Sequence, residues 1–446
     1  MIDKITKIAD EIEDKIINYR RDFHHYAERG WTEFRTASLI ARRLTELGYS
    51  VKVGKAVISE VDRMGVPEDE ELQKCWNSAV EQGGDKEFLN KMKGGFTGVV
   101  GTISNGDGPT IALRFDIDAL EISESKEKNH RPFREGFDSV NEKAMHACGH
   151  DSHAASGLGI AEILVSLKTY LKGTVKLVFQ PAEEGVRGAK SIVKAGVLDD
   201  VQYLIGHHVC TGWKTGEISS GMGGYIATKK FDAVIKGKPA HAGGSPQEGN
   251  NALMAAATAI LNLYAIPRHG EGVTRINVGK VIAGTGRNVI CDEAKMVIET
   301  RGADTKISEY MYEKAVKVLE KSAEMYDCKV EIKRMGEAQS GESDGEFSKI
   351  VEYTAERIGG YTLIPENRSK GSEDFTYMME KVQKNGGKAV YIGVGADYHG
   401  TSYFDKENKD NILIAHSHNF DIDEKAIKKV LILITAIVFS IVDSSL

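Results

Sequence analysis

Apolar positions change rhythm several times along the chain. Ile2, Ile5, Ile8, Ile12 and Ile16 recur at helical spacing, which predicts an amphipathic opening helix. Residues 110–115 form an apolar-rich run of strand length. Small residues open a helix at 157–161 that continues to 167, and 174–180 and 201–206 read as two more buried strands. Strands alternating with helices predict an α/β sheet covered on both faces, with chemistry in the loops beyond the carboxyl ends of the strands.

A second rhythm starts near Thr228. It predicts strands at 231–235, 275–282, 294–300 and 329–333, with helices at 252–264 and 307–325. Two strand–helix–strand halves in about a hundred residues suggest a small α+β sandwich. The α/β pattern then resumes with a helix at 345–358 and a strand at 389–394. The expected fold is therefore α/β. A large domain (1–227 and 338–446) has a mixed, mostly parallel sheet covered by helices, interrupted by a small α+β lid or dimerisation domain at 228–337. Residues 55–95 are polar and charged and read as a helical insertion, from which Gly94-Gly95 returns the chain to a strand near Val99.

A length of 446 residues suits two or three domains. The net charge of −7 argues against nucleic-acid binding, which needs clustered Lys and Arg. Five scattered cysteines do not form a disulfide framework. No secretory signal opens the chain, and the most apolar run, 430–442, is shorter than the roughly 20 residues that span a bilayer. These features predict a cytoplasmic protein without a membrane role.

Four segments carry candidate chemistry. In Met145-His146-Ala147-Cys148-Gly149-His150-Asp151, a thiolate and an imidazole two apart converge on one metal if the backbone is extended, with His146 and His153 crowding the segment. Gln180-Pro181-Ala182-Glu183-Glu184-Gly185 places adjacent carboxylates after a strand. In an extended loop they point to opposite sides, so that one binds metal and the other serves as general base. His207-His208 follows another strand, and His416-Ser417-His418 precedes Phe420. Each signal has an ordinary structural explanation when taken alone, whereas one Cys, several His and two Glu in loops of one domain point together to a metal site.

With these segments, Arg114-Phe115-Asp116-Ile117-Asp118-Ala119-Leu120, Gly286-Arg287-Asn288-Val289, Glu299-Thr300-Arg301-Gly302 and Gly371-Ser372-Glu373-Asp374-Phe375 give the chain its family likeness. It resembles the dinuclear metal-dependent amidohydrolases that include carboxypeptidase G, aminoacylases, hippurate hydrolases and auxin-conjugate hydrolases, over essentially its whole length. The segment 20–31, the insertion with Arg63-Met64-Gly65-Val66-Pro67, Gly94-Gly95-Phe96-Thr97-Gly98 and His130-Arg131-Pro132-Phe133 narrow the likeness to the branch that acts on p-aminobenzoyl-glutamate.

The resemblance implies two divalent ions per subunit, Mn or Zn first, with Co or Ni compatible. It implies Cys148, His150, Glu184, His208 and His416 as ligands and Glu183 as catalytic base. His418 and His399 stay open as alternatives to His416, because 396–411 is longer than in related chains. Asp116 and Asp118 are expected to support the ligands from behind, and His24 and His25 to be structural. His241 is expected to reach the active site of a partner subunit and donate to the oxyanion, and Asn288 and Arg301 to hold the free carboxylate of a small-molecule substrate. The expected reaction is cleavage of the amide of an N-acyl or N-aroyl amino acid, with p-aminobenzoyl-glutamate foremost and an aminoacylase, hippurate hydrolase or dipeptidase next. A catalytically silent partner subunit is the reading from another class. A homodimer is expected, or a heteromer with a related subunit.

Overall fold

A computed structural model describes residues 1–365, 371–402 and 412–442. The strands are β1 (Ser50–Val53), β2 (Val99–Asn105), β3 (Thr110–Asp116), β4 (Gly173–Gln180), β5 (Tyr203–Cys210), β6 (Glu217–Ser219), β7 (Ala227–Lys236), β8 (Thr274–Ala283), β9 (Glu293–Gly302), β10 (Lys329–Ala338), β11 (Thr362–Leu363) and β12 (Lys388–Gly395). Eight of them form one sheet in the order β1-β2-β4-β3-β5-β12-β6-β11. Its centre, β4-β3-β5-β12, is parallel throughout, while β1, β2 and β6 pair antiparallel. Parallel strands must be covered on both faces, which explains their almost unbroken burial.

Alternation along β3 shows both layers. Ile111, Leu113 and Phe115 enter a core formed with helices Ile2–His25, Phe34–Glu46, His150–Ser166 and Lys425–Val442. Ala112 faces the opposite core, built with helices Ala189–Lys194 and Phe375–Lys384. Helix His150–Ser166 lies close on the sheet because Gly157 has no side chain: a Cβ there would sit 2.5 Å from the Phe179 ring.

The second sheet, β10-β7-β9-β8, is antiparallel. Phe231, Ala233, Met296 and Ile298 face helices Ala252–Tyr264 and Thr305–Glu324, which supply Ala255, Ala259, Met311, Ala315 and Leu319 to a separate core. The insertion holds helices Asp69–Glu81 and Lys86–Lys91, and Leu72, Ala79, Phe88 and Leu89 anchor it to the first core. It is also tied to the start of the chain, because the Trp31 indole N–H donates to the Met64 carbonyl at 2.8 Å.

Most sequence-predicted elements recur with ends moved by a few residues. Three local expectations at the motifs are corrected. Cys148 and His150 do not lie on extended backbone: Gly149 adopts φ 87° and His150 is the first residue of the helix that runs to Ser166. The helix therefore begins seven residues before the expected start at 157. His207 and His208 belong to β5 itself rather than to a loop after it. Glu183 and Glu184 do not alternate along an extended loop; Ala182 has φ 53° and the chain turns sharply, with Val186 N–H on the Glu183 carbonyl at 2.6 Å.

Candidate metal centre

The motifs meet at the carboxyl ends of β3, β4 and β5. Gly149 is in the left-handed region, where glycine is favoured, and its turn brings Cys148 and His150 to one side. Cys148 Sγ lies 3.4 Å from His208 Nε2. Two sets of ligand atoms result, each lying within 4.8 Å of one another: Cys148, His150 and His208, and Cys148, Glu184 and His416. Cys148 is common to both. His150, Glu183 and Glu184 form a third such set, so Glu183 stands beside the ligands.

Donor chemistry in the surroundings fits a metal. His150 Nδ1 is 2.9 Å from the Asp118 main-chain carbonyl, which as an acceptor fixes the proton on Nδ1 and leaves Nε2 as a lone pair. That Nε2 is buried without a hydrogen-bond partner, and so is Glu184 Oε1. Orphaned buried donors and acceptors are rare and costly, and here both belong to the convergent sets. His208 directs Nδ1 at the Val209 carbonyl at 2.6 Å, which frees Nε2 toward Cys148. His153 differs. The Val209 N–H donates to its Nε2 at 3.0 Å, and its Nδ1 faces Asp116 at 2.5 Å, so neither nitrogen is free for a metal.

Asp116 and Asp118 lie beside the ligand candidates and hold the backbone and side chains around them. Asp118 accepts the backbone N–H of Glu183 and of Glu184 through its two oxygens, both at 2.9 Å. Asp116 holds Arg114 at 2.5 Å and lies 3.8 Å from His150 Nε2. Arg114, His150 and His153 outweigh burial and keep the Asp116 carboxyl well below its ordinary range. Burial lowers the basicity of His150, but Asp116 and the hydrogen bond to Asp118 more than reverse it. Burial pushes the Glu184 carboxyl up to about 7 and raises Glu183 well above its usual value, with Glu373, Glu184 and Asp374 adding repulsion at Glu183.

Three residues around Glu183 carried no assigned role in the sequence. Glu373 and Asp374 lie within ligand distance of it, and Arg114 Nη2 bridges them at 3.0 and 3.3 Å. Glu33 accepts the Ala182 N–H at 2.8 Å and the Thr97 hydroxyl at 2.6 Å, which pins the strained residue that precedes Glu183. Glu373 and Asp374 had a signal, their place in the Gly371–Phe375 motif. Glu33 had none.

Of the three C-terminal histidines, His416 enters a ligand set, 3.6 Å from Glu184 Oε1. His418 and His399 are exposed and enter none of the sets found among the described residues. His416 has φ 67° and its N–H donates to the Ala147 carbonyl at 2.7 Å, which ties it to the Cys148 segment. Residues 403–411, part of the long segment before it, lie outside the described residues.

The lid-sheet candidates stand apart from the ligand sets. His241 is exposed, its Nδ1 accepting from Gly243 and Gly244, and Asn288 is exposed on the adjoining loop. Arg301 forms a double hydrogen bond with Glu299, 3.0 Å each, and lines a cavity with Tyr225, Arg275 and Glu342 rather than the cleft that holds Glu184 and His416. His24 and His25 are built into the fold: His24 bridges Asp151 at 2.7 Å and Glu124 at 2.9 Å, and His25 faces the Asp138 carbonyl.

The profile of peptidase family M20/M25/M40 matches residues 112–438. One of the subunits of the p-aminobenzoyl-glutamate hydrolase of Escherichia coli (strain K12) is 42% identical over 96% of this chain and 95% of its own. The indole-3-acetyl-aspartic acid hydrolase of Enterobacter agglomerans is 43% identical over 92% of each chain. Among solved structures, the aminobenzoyl-glutamate utilization protein from Klebsiella pneumoniae superposes with a TM-score of 0.82, at 36% identity and over 97% of both chains.

Proposed function

The chain belongs to peptidase family M20/M25/M40 and is a metal-dependent amidohydrolase; from that premise we propose that it cleaves N-aroyl or N-acyl amino acids, p-aminobenzoyl-glutamate foremost, into a free acid and an amino acid. The observation that carries this reading is the pair of ligand sets sharing Cys148, with Glu183 adjoining them. Cys148, His150 and His208 would hold one divalent ion and Cys148, Glu184 and His416 a second. Ions bound there supply Lewis acidity and lower the pKa of water towards neutrality.

This chain's own residues do the rest. Glu183 takes a proton from the attacking water and returns it to the leaving nitrogen. Its burial among Glu184, Glu373 and Asp374 favours accepting that proton. Asp118, bonded to both N–H groups of the Glu183-Glu184 turn, orients base and ligand together. Asn288 and Arg301 take the α-carboxylate of the substrate, and His241 of a partner subunit donates to the oxyanion.

The last role requires a dimer through the lid, residues 228–337. Leu253, Met254 and Leu261 on helix Ala252–Tyr264 and Val281 and Ile282 on the edge strand β8 are exposed, which supports such an interface. The Escherichia coli relative is named as one subunit of a hydrolase, which leaves a heteromer as the other assembly. No helix among the described residues is long and apolar enough to cross a membrane. Five free thiols fit a reducing cytoplasm, the compartment we propose.

A panel of p-aminobenzoyl-glutamate, hippurate and acetyl-amino acids, assayed with added Mn or Zn, tests the reading. Turnover led by p-aminobenzoyl-glutamate is expected. A lead for hippurate or an acetyl-amino acid would shift the specificity, and none at all in a metal-loaded protein would leave the silent-subunit reading.

A further inference from the structure

The cleft onto which Glu184 and His416 open, about 660 Å³, also receives Lys230 from β7 and Arg187 from the turn after Glu184. Most other charges along it are neutralised. Asp232 is paired with Lys295 at 2.8 Å, and Arg29 with Glu71 at 2.5 Å. Lys230 is not. Its cross-strand neighbour on β9 is Glu299, the obvious partner, but both Glu299 oxygens are held by Arg301. Lys230 makes no hydrogen bond or ion pair with any described residue, although it is half-buried. Arg187 is fixed by carbonyls alone, Nε donating to the Glu184 carbonyl at 2.8 Å and Nη1 to the Gly65 carbonyl at 3.0 Å, with no carboxylate among the described residues to offset its charge.

Two cations without an ion-pair partner among the described residues therefore line the cleft onto which Glu184 and His416 open. One comes from the lid sheet and the other from the loop that carries base and ligand, buttressed by the insertion through Gly65. Lys230 lines the same cleft as Glu184 and His416. An α-carboxylate bound by Asn288 and Arg301 would leave this site for a second carboxylate. We infer that Lys230 and Arg187 bind the side-chain carboxylate of the amino-acid half of the substrate, so that the enzyme selects conjugates of dicarboxylic amino acids, glutamate or aspartate. The inference rests on the hydrolase reading and narrows its substrate class. Charge-assisted contacts of this kind discriminate by leaving a half-buried cation unpaired when the carboxylate is replaced by an amide.

The test compares p-aminobenzoyl-glutamate with p-aminobenzoyl-glutamine in metal-loaded wild type, Lys230→Met and Lys230→Arg. Lys230→Met is expected to lower kcat/KM for the glutamate conjugate by about 30-fold, mostly through KM, and for the glutamine conjugate by less than about twofold. Lys230→Arg should recover most of the loss. Equal losses on both conjugates overturn the assignment, because they would mean a contact to the α-carboxylate or a general disturbance. Calorimetry with glutarate and with its monoamide gives a second readout that needs no turnover. Wild type should bind glutarate more tightly, and Lys230→Met should bind the two alike. If wild type cleaves neither conjugate, the p-aminobenzoyl-glutamate reading fails, and the calorimetric difference still decides whether the dicarboxylate site exists; equal binding of both ligands by wild type overturns it.

Discussion

Cys148 and His416, more than half the chain apart in sequence, present their sulfur and a ring nitrogen within 4.8 Å of each other. The contact closes the second ligand set, and it makes Cys148 the one residue on which both sets depend. Removing Cys148 should therefore cost more metal than removing any ligand held by one set. For Cys148→Ala we expect loss of both ions after gel filtration, and for His208→Ala loss of one, as read by elemental analysis. Two ions retained by Cys148→Ala would contradict the shared thiolate.

Stripping the metal should destabilise the fold, because His150 Nε2 and Glu184 Oε1 are then left buried without partners. A ligand that binds only the folded state adds about 2.7 kcal/mol at a free concentration one hundred times its Kd. A chelator should accordingly lower Tm by several degrees, and Mn or Zn should restore it. An unchanged Tm in protein shown to be metal-free would argue against a structural contribution.

Glu183 adjoins the ligands without being needed for either set. Glu183→Gln should keep both ions and the fold while turnover falls by about 10²- to 10⁴-fold, the usual range for a general base. Near-normal kcat in a metal-loaded variant excludes Glu183 from that role.

Asp118 accepts two N–H donors with one carboxylate. In Asp118→Asn one of those positions becomes an NH2 group facing an N–H, and the turn must shift. We expect a loss of about 2 kcal/mol in stability and a fall in kcat larger than the rise in KM. A variant with wild-type kcat and a lowered Tm would confine Asp118 to stability.

His24, which enters none of the ligand sets found among the described residues, provides a pH test. Burial lowers its basicity, but hydrogen bonds and charges from Asp151 and Glu124 outweigh it and raise the pKa to about 9 from an ordinary 6.5. A raised histidine stabilises the fold fully below its unfolded pKa, and the contribution disappears as pH climbs through the folded one. The difference in stability between wild type and His24→Gln should thus be largest near pH 6 and shrink by about 3 kcal/mol between pH 6.5 and 9. Denaturant melts across that window measure it. A difference independent of pH would mean that His24 is neutral in the fold.

Much of the centre was legible in the chain because its chemistry is local to short motifs. Cys148, His150, Glu183, Glu184 and His208 each lie within two residues of a second candidate, and composition singles such clusters out. The conformations that make them useful were less legible. The turn at Gly149 and the left-handed Ala182 depend on contacts from elsewhere, Val209 packing on Gly149 and Glu33 holding the Ala182 N–H. His153 resembled a ligand until Asp116 and the Val209 N–H occupied both its nitrogens. Lys230 was one lysine of a strand, and its free charge follows only from Arg301 occupying Glu299.

By itself, the sequence determined the period of each element, the alternation that made two sheets, and the identity of the groups able to bind metal. Those depend on side-chain type and spacing, which any chain of this order carries wherever it folds. Only the tertiary structure decided which nitrogens were left without partners, which carboxylates faced one another and which cation lost its neighbour. A lone pair or a charge is free only relative to every group around it, and residues hundreds of positions apart supply those groups.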